Sequence, residues 1–599
     1  MIDPFHFEIQ RPSRVESQPS LFLIRETVTW EIADHIIIDR CFIFNMAVAQ
    51  EALKICESLE GILKKTFGPN GLDVMLNSSS GNILITNNGA LILKSLSLDN
   101  HISRTVVDGV VSLSSIAGDG STSFILLLTA LLRETMQCTG ISGRSSKAVM
   151  SSNQRQSLLA LSRAFIQFES TLIDEVVVPC LRTITITTDL QDEDLSTIKQ
   201  KINRLIYSTM NGKFPVNTVF LFAEILSDLI IKTWKSPVLS LRESVLHVID
   251  EFPQICIEVP SLPISFSQVK QGILIPRQFA FDVEEIFTTL QNFKFIVLNR
   301  SLDISEPQVP SSIRINDQSS FDMSFQWKRN QVQRLITMFQ QHGIRLILSS
   351  ENVSDLVLHF CRQTGIAVVS MIPVEYTEYI CKCTGVLPVH NIDSNDLDDV
   401  FLGTSLSCST QRLGHQKFVC MHVDPRNLQF SPHYLILCSP AQGLCKQYYI
   451  ALRNALKCVK MSFSEDGNCL TFLPGCGAAE FAMSFSLKLH SLNVVDLNMS
   501  QALEILSKAL QTIPHTLHQN SFSISHQKEN FMHRLHEVEK SWKSNGIVLG
   551  VNSKTGKAVD AGKLEVYEPF SGKYLLIQSV LQCLSQLLRT EKFLGVKKL

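Results

Sequence analysis

Two glycines around an acid, followed by three hydroxyls and an apolar run, are the residues of this chain best suited to chemistry. Gly118-Asp119-Gly120-Ser121-Thr122-Ser123 leads straight into Phe124–Leu132. Glycine lets a backbone approach a phosphate closely. Ser121 and Thr122 are placed to cap the following helix, whose free N–H groups and positive dipole end attract anions. Asp119 beside such a phosphate suits Mg²⁺, which takes carboxylate and phosphate oxygens. Taken alone, the segment reads first as an ordinary tight turn with an N-cap.

Four other glycine segments change that reading by their order. Phe67-Gly68-Pro69-Asn70-Gly71 comes first, then Thr86-Asn87-Asn88-Gly89-Ala90 after an apolar strand. Beyond the central motif come Leu473-Pro474-Gly475-Cys476-Gly477-Ala478 and Gly550-Val551-Asn552, with Asp560 eight positions before Glu568-Pro569. Together they resemble the nucleotide-binding elements of the group II chaperonin (TCP-1/cpn60) superfamily, in the same order and at comparable separations. The run Asn87–Lys94 and the run Gly118–Ser123 are close matches. The resemblance covers residues 46–150 and 435–599 well and the middle more loosely.

The resemblance implies ATP and Mg²⁺ as ligands. Gly68 and Pro69 match a turn that touches the nucleotide. Gly89 belongs to the second nucleotide-binding motif. Gly118, Gly120, Ser121 and Thr122 match the phosphate cradle, and Asp119 the Mg²⁺ contact. Gly475 and Gly477 match a loop near the sugar, with Cys476 in place of its middle glycine, and Asp560 matches a ribose contact. The catalytic side is degenerate. Asn88 stands where the family has an aspartate at the phosphates, and Asn454, in Arg453-Asn454-Ala455-Leu456, where it has a second aspartate that acts on the attacking water. An amide accepts no proton at neutral pH, and losing one general base costs about 10²–10⁴-fold in rate. Weak or absent hydrolysis with retained binding is therefore expected.

Elements must hold these loops. A helix opening at Met46, with Ala49, Leu53, Cys56, Ile62 and Leu63 on one face, precedes the Gly-Pro turn. Residues 150–255 read as mainly helical. Short β-branched runs at Lys294–Asn299, Arg345–Ser349 and Ile366–Met371 alternate with helical stretches at 327–342, 353–363 and 374–384, which predicts a parallel α/β sheet. A helical block closes the chain, its last helix carrying Ile577, Leu581, Leu584 and Leu588 on one face. The fold class is thus multidomain α plus α/β. By resemblance, residues 46–150 and 458–599 form a mainly helical equatorial domain, 151–255 and 406–457 an intermediate domain, and 256–405 an apical-like α/β domain. Residues 1–45 read as an appended extension. Residues 303–325 fall where the family has a lid protrusion, but are short and poor in apolar residues.

Composition excludes several classes. At 599 residues, 45% hydrophobic and 18% charged, the chain can build more than one core. A net charge of -2 argues against nucleic acid as a partner. No run approaches the length that spans a bilayer, so membrane insertion is not expected, nor is a signal peptide. Sixteen cysteines without a CxxC pair read as free thiols in a reducing cytosol. His490, His515, His518, His526, His533 and His536 lack metal-ligand spacing.

The stretch Gly572-Lys573-Tyr574 with Ser579–Leu584 resembles, within the superfamily, the vertebrate chaperonin-like Bardet–Biedl proteins. That implies an assembly factor for the BBSome, the Bardet–Biedl protein complex that serves cilia. Its partners would be other chaperonin-like Bardet–Biedl proteins and cytosolic ring chaperonin subunits, with BBSome subunits as clients. Its location would be cytoplasmic, extending to the basal body or centrosome. Two other readings stand beside it: an active ATP-driven ring chaperone, and a structural adaptor that binds no nucleotide.

Overall fold

The computed structural model describes residues 48–77, 83–140, 152–234, 239–282, 292–302, 317–390, 398–423, 430–521 and 530–590. All lie within one unit of the chain.

Both ends of the described chain enter one helical bundle. The Val48–Leu63 helix buries Ala49, Ala52, Cys56, Leu59 and Leu63 at three- and four-residue steps. Ile62, expected on that face, is exposed instead, one position off the stripe. The helix packs on Ser121–Cys138, which is buried at every position from Ser121 to Leu132. A helix apolar around its whole circumference belongs at the centre of a bundle. The helices Leu497–Leu510 and Phe570–Arg589 complete its surround. Ile577, Leu581, Leu584 and Leu588 of the last helix are all buried, as their spacing predicts. The helix Ser152–Gln167 packs on that last helix.

The middle of the chain holds the sheets. A six-stranded sheet runs in the order Ile273–Ile275, Gln416–Val423, Leu402–Leu413, Phe293–Leu298, Ile344–Ser349, Ala367–Val369. Its last three strands are parallel, with Ile296 opposite Ile347 and Ile347 opposite Val368. The helices Gln318–Gln341 and Asp355–Thr364 connect them, as the alternating pattern predicts. The other three strands are antiparallel, so the sheet is mixed rather than wholly parallel. Leu402–Leu413 alternates buried and exposed positions, the habit of an antiparallel strand with one solvated face, and its serines and threonines hide it among loops. Residues 303–316 of the expected protrusion lie outside the described residues. Its remainder opens the Gln318–Gln341 helix, where Phe321, Met323 and Phe325 stand exposed, so this part is not poor in apolar surface.

Two smaller features position the loops. The helix Leu195–Met210 packs on Val216–Thr233 and on Gln442–Lys460. A three-stranded sheet pairs Cys469–Pro474 with Tyr567–Pro569 and with Ile186–Asp189, which sets the Gly475 turn beside Glu568. No helix among the described residues is long and apolar enough to cross a membrane.

Candidate functional site

One cavity of about 250 Å³ gathers residues from all five glycine segments. Its centre is the start of the Ser121–Cys138 helix. Gly118 and Gly120 take φ of +79° and +93°, left-handed values that a side chain resists. A Cβ at Gly118 would also strike the Asn454 carbonyl oxygen. Gly120 is the N-cap and has no side chain with which to bond the first-turn N–H groups. Those groups, beside the buried Ser121, Thr122 and Ser123, form a donor-rich end suited to an anion.

Gly89 crosses this helix end so closely that a Cβ there would lie 2.6 Å from Thr122 Oγ1 and 2.9 Å from Ser121 Oγ. Asn88, just before it, also lines the cavity. Its Oδ1 accepts from the N–H of Ala90 at 3.1 Å and of Leu91 at 3.4 Å, capping the helix Gly89–Ser95. Asn88 therefore serves the fold as an aspartate would, without a basic oxygen.

Asp119 lines the cavity with its carboxylate half exposed, and Lys213 Nζ lies 3.6 Å from Oδ1. Lys213 was not among the residues expected from sequence. The only local signal is Gly212-Lys213, which lacks the spacing of a phosphate-binding loop. Tyr207, Ser208 and Thr209 line the same wall.

The lining also meets a buried charge cluster that sequence reasoning missed. Lys573 bonds Glu480, and its Nζ lies 2.6 Å from Glu568 Oε2. Burial alone would lower the Lys573 pKa, but the two carboxylates override it and hold the ammonium above its ordinary value. Burial raises the Glu568 carboxyl; Lys573 opposes that shift, while Glu480 and Asp119 add to it. Cys476 lines the cavity nearby at φ +60°. Burial, then Glu568 and Glu480, push its thiol up to about 12, so it is a poor nucleophile at neutral pH.

The remaining expected residues fall in two groups. Gly68, Pro69 and Gly477 line the cavity. Gly475, Asn454 and Asp560 do not. Gly475 donates its N–H to the Val566 carbonyl at 2.9 Å, directly behind Cys476. Asn454 meets the site through its backbone carbonyl at Gly118. Asp560 Oδ1 accepts from the N–H of Gly562 at 3.0 Å and of Lys563 at 3.3 Å, closing a turn.

What this arrangement offers is a phosphate cradle and an acid suited to a divalent cation. Of the two carboxylates that line it, Asp119 is paired with Lys213 and Glu568 with Lys573.

Comparison with known proteins bears on the family. The chain is 22% identical over 551 residues to the thermosome subunit alpha of Thermoplasma acidophilum, covering 91% of each protein. It is 23% identical over 448 residues to the human BBSome complex assembly protein BBS10, covering 71% of this chain and 60% of that protein. Its mouse counterpart is 22% identical over 424 residues, with 69% and 58% covered. The chain thus spans well under two thirds of the BBS10 proteins it matches. The profile of the TCP-1/cpn60 chaperonin family matches residues 59–598, and the chain belongs to that family.

Proposed function

We propose that this chaperonin-like chain is an ATP-binding assembly factor for the BBSome that hydrolyses ATP slowly or not at all. The observation that carries the reading is the cavity itself: a donor-rich helix end suited to phosphate, with the amide of Asn88 where a base would be needed. Asn88 lines it as a helix cap, and Asn454 presents only its backbone. The loss of a base at the Asn88 position corresponds to about 10²–10⁴-fold in rate.

The residues present fit Mg²⁺–ATP. The first-turn N–H groups and the hydroxyls of Ser121 and Thr122 would receive phosphate oxygens. Lys213 adds a cation beside Asp119. Asp119 would hold Mg²⁺, exchanging Lys213 for the metal. When bound, Mg²⁺ would neutralise phosphate charge. ATP is then a ligand that favours one conformation over another, which it does only through differential affinity.

The assembly role rests on the names of the BBS10 relatives. It implies BBSome subunits as clients, other chaperonin-like Bardet–Biedl proteins and ring chaperonin subunits as partners, and a cytoplasmic or basal-body location. One observation favours a second reading, an adaptor without nucleotide: Cys476 adds a side chain to the cavity wall at a strained backbone position.

Calorimetry with Mg²⁺–ATP on the wild type and on Asp119→Ala, with turnover on the same samples, tests the choice. Binding lost in the variant with negligible turnover in both supports the proposal. Absence of binding in the wild type supports the adaptor, and turnover at the rate of an ordinary chaperonin overturns both.

A further inference from the structure

We infer that Glu568 meets the ligand of the cavity as a neutral carboxylic acid, so that binding an anion there takes up a proton at the cluster Glu480–Lys573–Glu568. It rests on the nucleotide reading for the identity of the ligand, and on the cluster alone for the proton.

The charges of the cluster do not balance. Lys573 bonds Glu480, and its Nζ lies 2.6 Å from Glu568 Oε2. Among the described residues no other donor reaches either carboxylate, and Glu480 Oε2 is buried with no hydrogen-bond partner. One ammonium thus serves two carboxylates. That leaves one negative charge where the Glu480 and Lys573 side chains are only 2% and 11% exposed. An uncompensated charge in such surroundings is costly. Glu568 is the carboxylate that can take up a proton, since it is 31% exposed and lines the cavity.

The surroundings of Glu568 do not supply the missing cation. Its Oε1 lies against the Gly475 turn, 3.4 Å from where a Cβ on that glycine would stand. The last helix brings Lys573, and Ala478–Ser491 brings Glu480. The Gly475 turn brings the Cys476 thiol, and Gln442–Lys460 brings the Cys458 thiol with Lys457 near it. Asp119 also acts on Glu568, and Lys213 is paired with it. Arg204 of the Leu195–Met210 helix, near Tyr567, holds Glu565.

Burial raises the Glu568 carboxyl against the pull of Lys573, and Glu480 and Asp119 add to the rise. A polyphosphate brings more negative charge into the same 250 Å³ and favours the neutral form further. Protonation also turns an acceptor into a donor, whose O–H can donate to a phosphate oxygen. The step moves one proton from solvent to a Glu568 oxygen and breaks no bond of the ligand. Because the ligand prefers the protonated form, affinity rises as pH falls. The rise ends where the free protein already holds the proton, so its window lies above the ordinary carboxylate range. Within that window affinity should change by up to about ten-fold per pH unit.

Calorimetry on the full-length protein tests this. Mg²⁺–ATP and inorganic triphosphate are each titrated at several pH values, in buffers of different ionisation enthalpy, which gives the protons taken up per ligand bound. Wild type is compared with Glu568→Gln and Glu480→Gln, with thermal melts to check the fold. Glutamine at 568 keeps a donor but cannot titrate, so protons that belong to the ligand cancel in the difference. Wild type should take up more protons than Glu568→Gln, by up to about one. Glu568→Gln should lose the extra pH slope and bind at least as tightly at the alkaline end, which a merely structural role would not give. In Glu480→Gln, Lys573 neutralises Glu568 alone, and the uptake should fall toward that of Glu568→Gln. Equal uptake in wild type and Glu568→Gln overturns the inference, as does full uptake in Glu480→Gln. A wild type that binds triphosphate but not ATP removes the nucleotide reading alone, and the proton count is then read on triphosphate. A wild type that binds neither removes both.

Discussion

Replacing Asn88 by aspartate separates the two roles of that position. In the structure its side-chain oxygen accepts from two backbone N–H groups at 3.1 and 3.4 Å. Aspartate can make the same cap, since the two residues rank together as N-caps. Its charge at the start of Gly89–Ser95 contributes about 0.3–1 kcal/mol more, partly offset by Asp119 in the same cavity. The melting temperature of Asn88→Asp should therefore match or slightly exceed that of the wild type. Asn88→Ala loses the cap and should cost about 1 kcal/mol. Only aspartate supplies a base, so single-turnover phosphate release should rise about 10²–10⁴-fold over both other proteins. The assay uses protein in excess over Mg²⁺–ATP at neutral pH, with thermal melts on the same samples. If Asn88→Asp is no faster than Asn88→Ala, the residue does not reach the reacting phosphate. If both lose equal stability, the cap is wrongly read.

Three further outcomes follow from single residues, two at the site and one away from it. Cys476→Gly removes a non-glycine residue from φ +60°; relief of about 1–2 kcal/mol outweighs the ~0.5–1 kcal/mol entropy cost of glycine, so thermal denaturation should show equal or greater stability. Lys573→Met strands Glu480 and Glu568 in a buried site and should cost about 3–5 kcal/mol, most of it recovered when both glutamates also become glutamine, as measured by denaturant melts. His247 stacks on Phe430 at 3.7 Å, and burial, with Lys382 nearby, lowers its pKa to about 4. The unfolded chain takes up that proton near pH 6.5 and the folded chain only near 4. The His247 contribution is thus complete above 6.5 and is lost as pH falls toward 4, by up to about 3 kcal/mol. His247→Phe should flatten this part of the pH profile of the denaturation midpoint.

How much of the site was legible depends on how local its physics is. Gly118, Gly120 and Gly89 declare themselves because a backbone turn or a close approach restricts the residue type at that one position. The Ser121–Cys138 helix is equally local, since its apolar run can only be central. The parallel half of the large sheet is readable from β-branched runs buried on both faces. The antiparallel half is not, because Leu402–Leu413 is half polar by design of its solvated face. Lys213 and the Lys573 cluster carry no local signature. Glu480 and Lys573 are 93 positions apart, and only tertiary packing tells that both are buried. Asp560 shows the opposite case: its local turn chemistry is what the structure uses.

The separation of the lining segments has its own consequence. The cavity is closed by residues from the first bundle helices, from Tyr207–Lys213 and from the strand near the C-terminus. A ligand held there binds only when these segments meet, so it stabilises their association by mass action. At a hundred times its dissociation constant that amounts to about 2.7 kcal/mol, enough to move a balanced pair of conformations almost wholly to one side. No bond need be broken for such a switch. On the proposed reading of slow or absent hydrolysis, such a state ends chiefly when the ligand leaves, so its lifetime follows the ligand's dissociation rate rather than a chemical step.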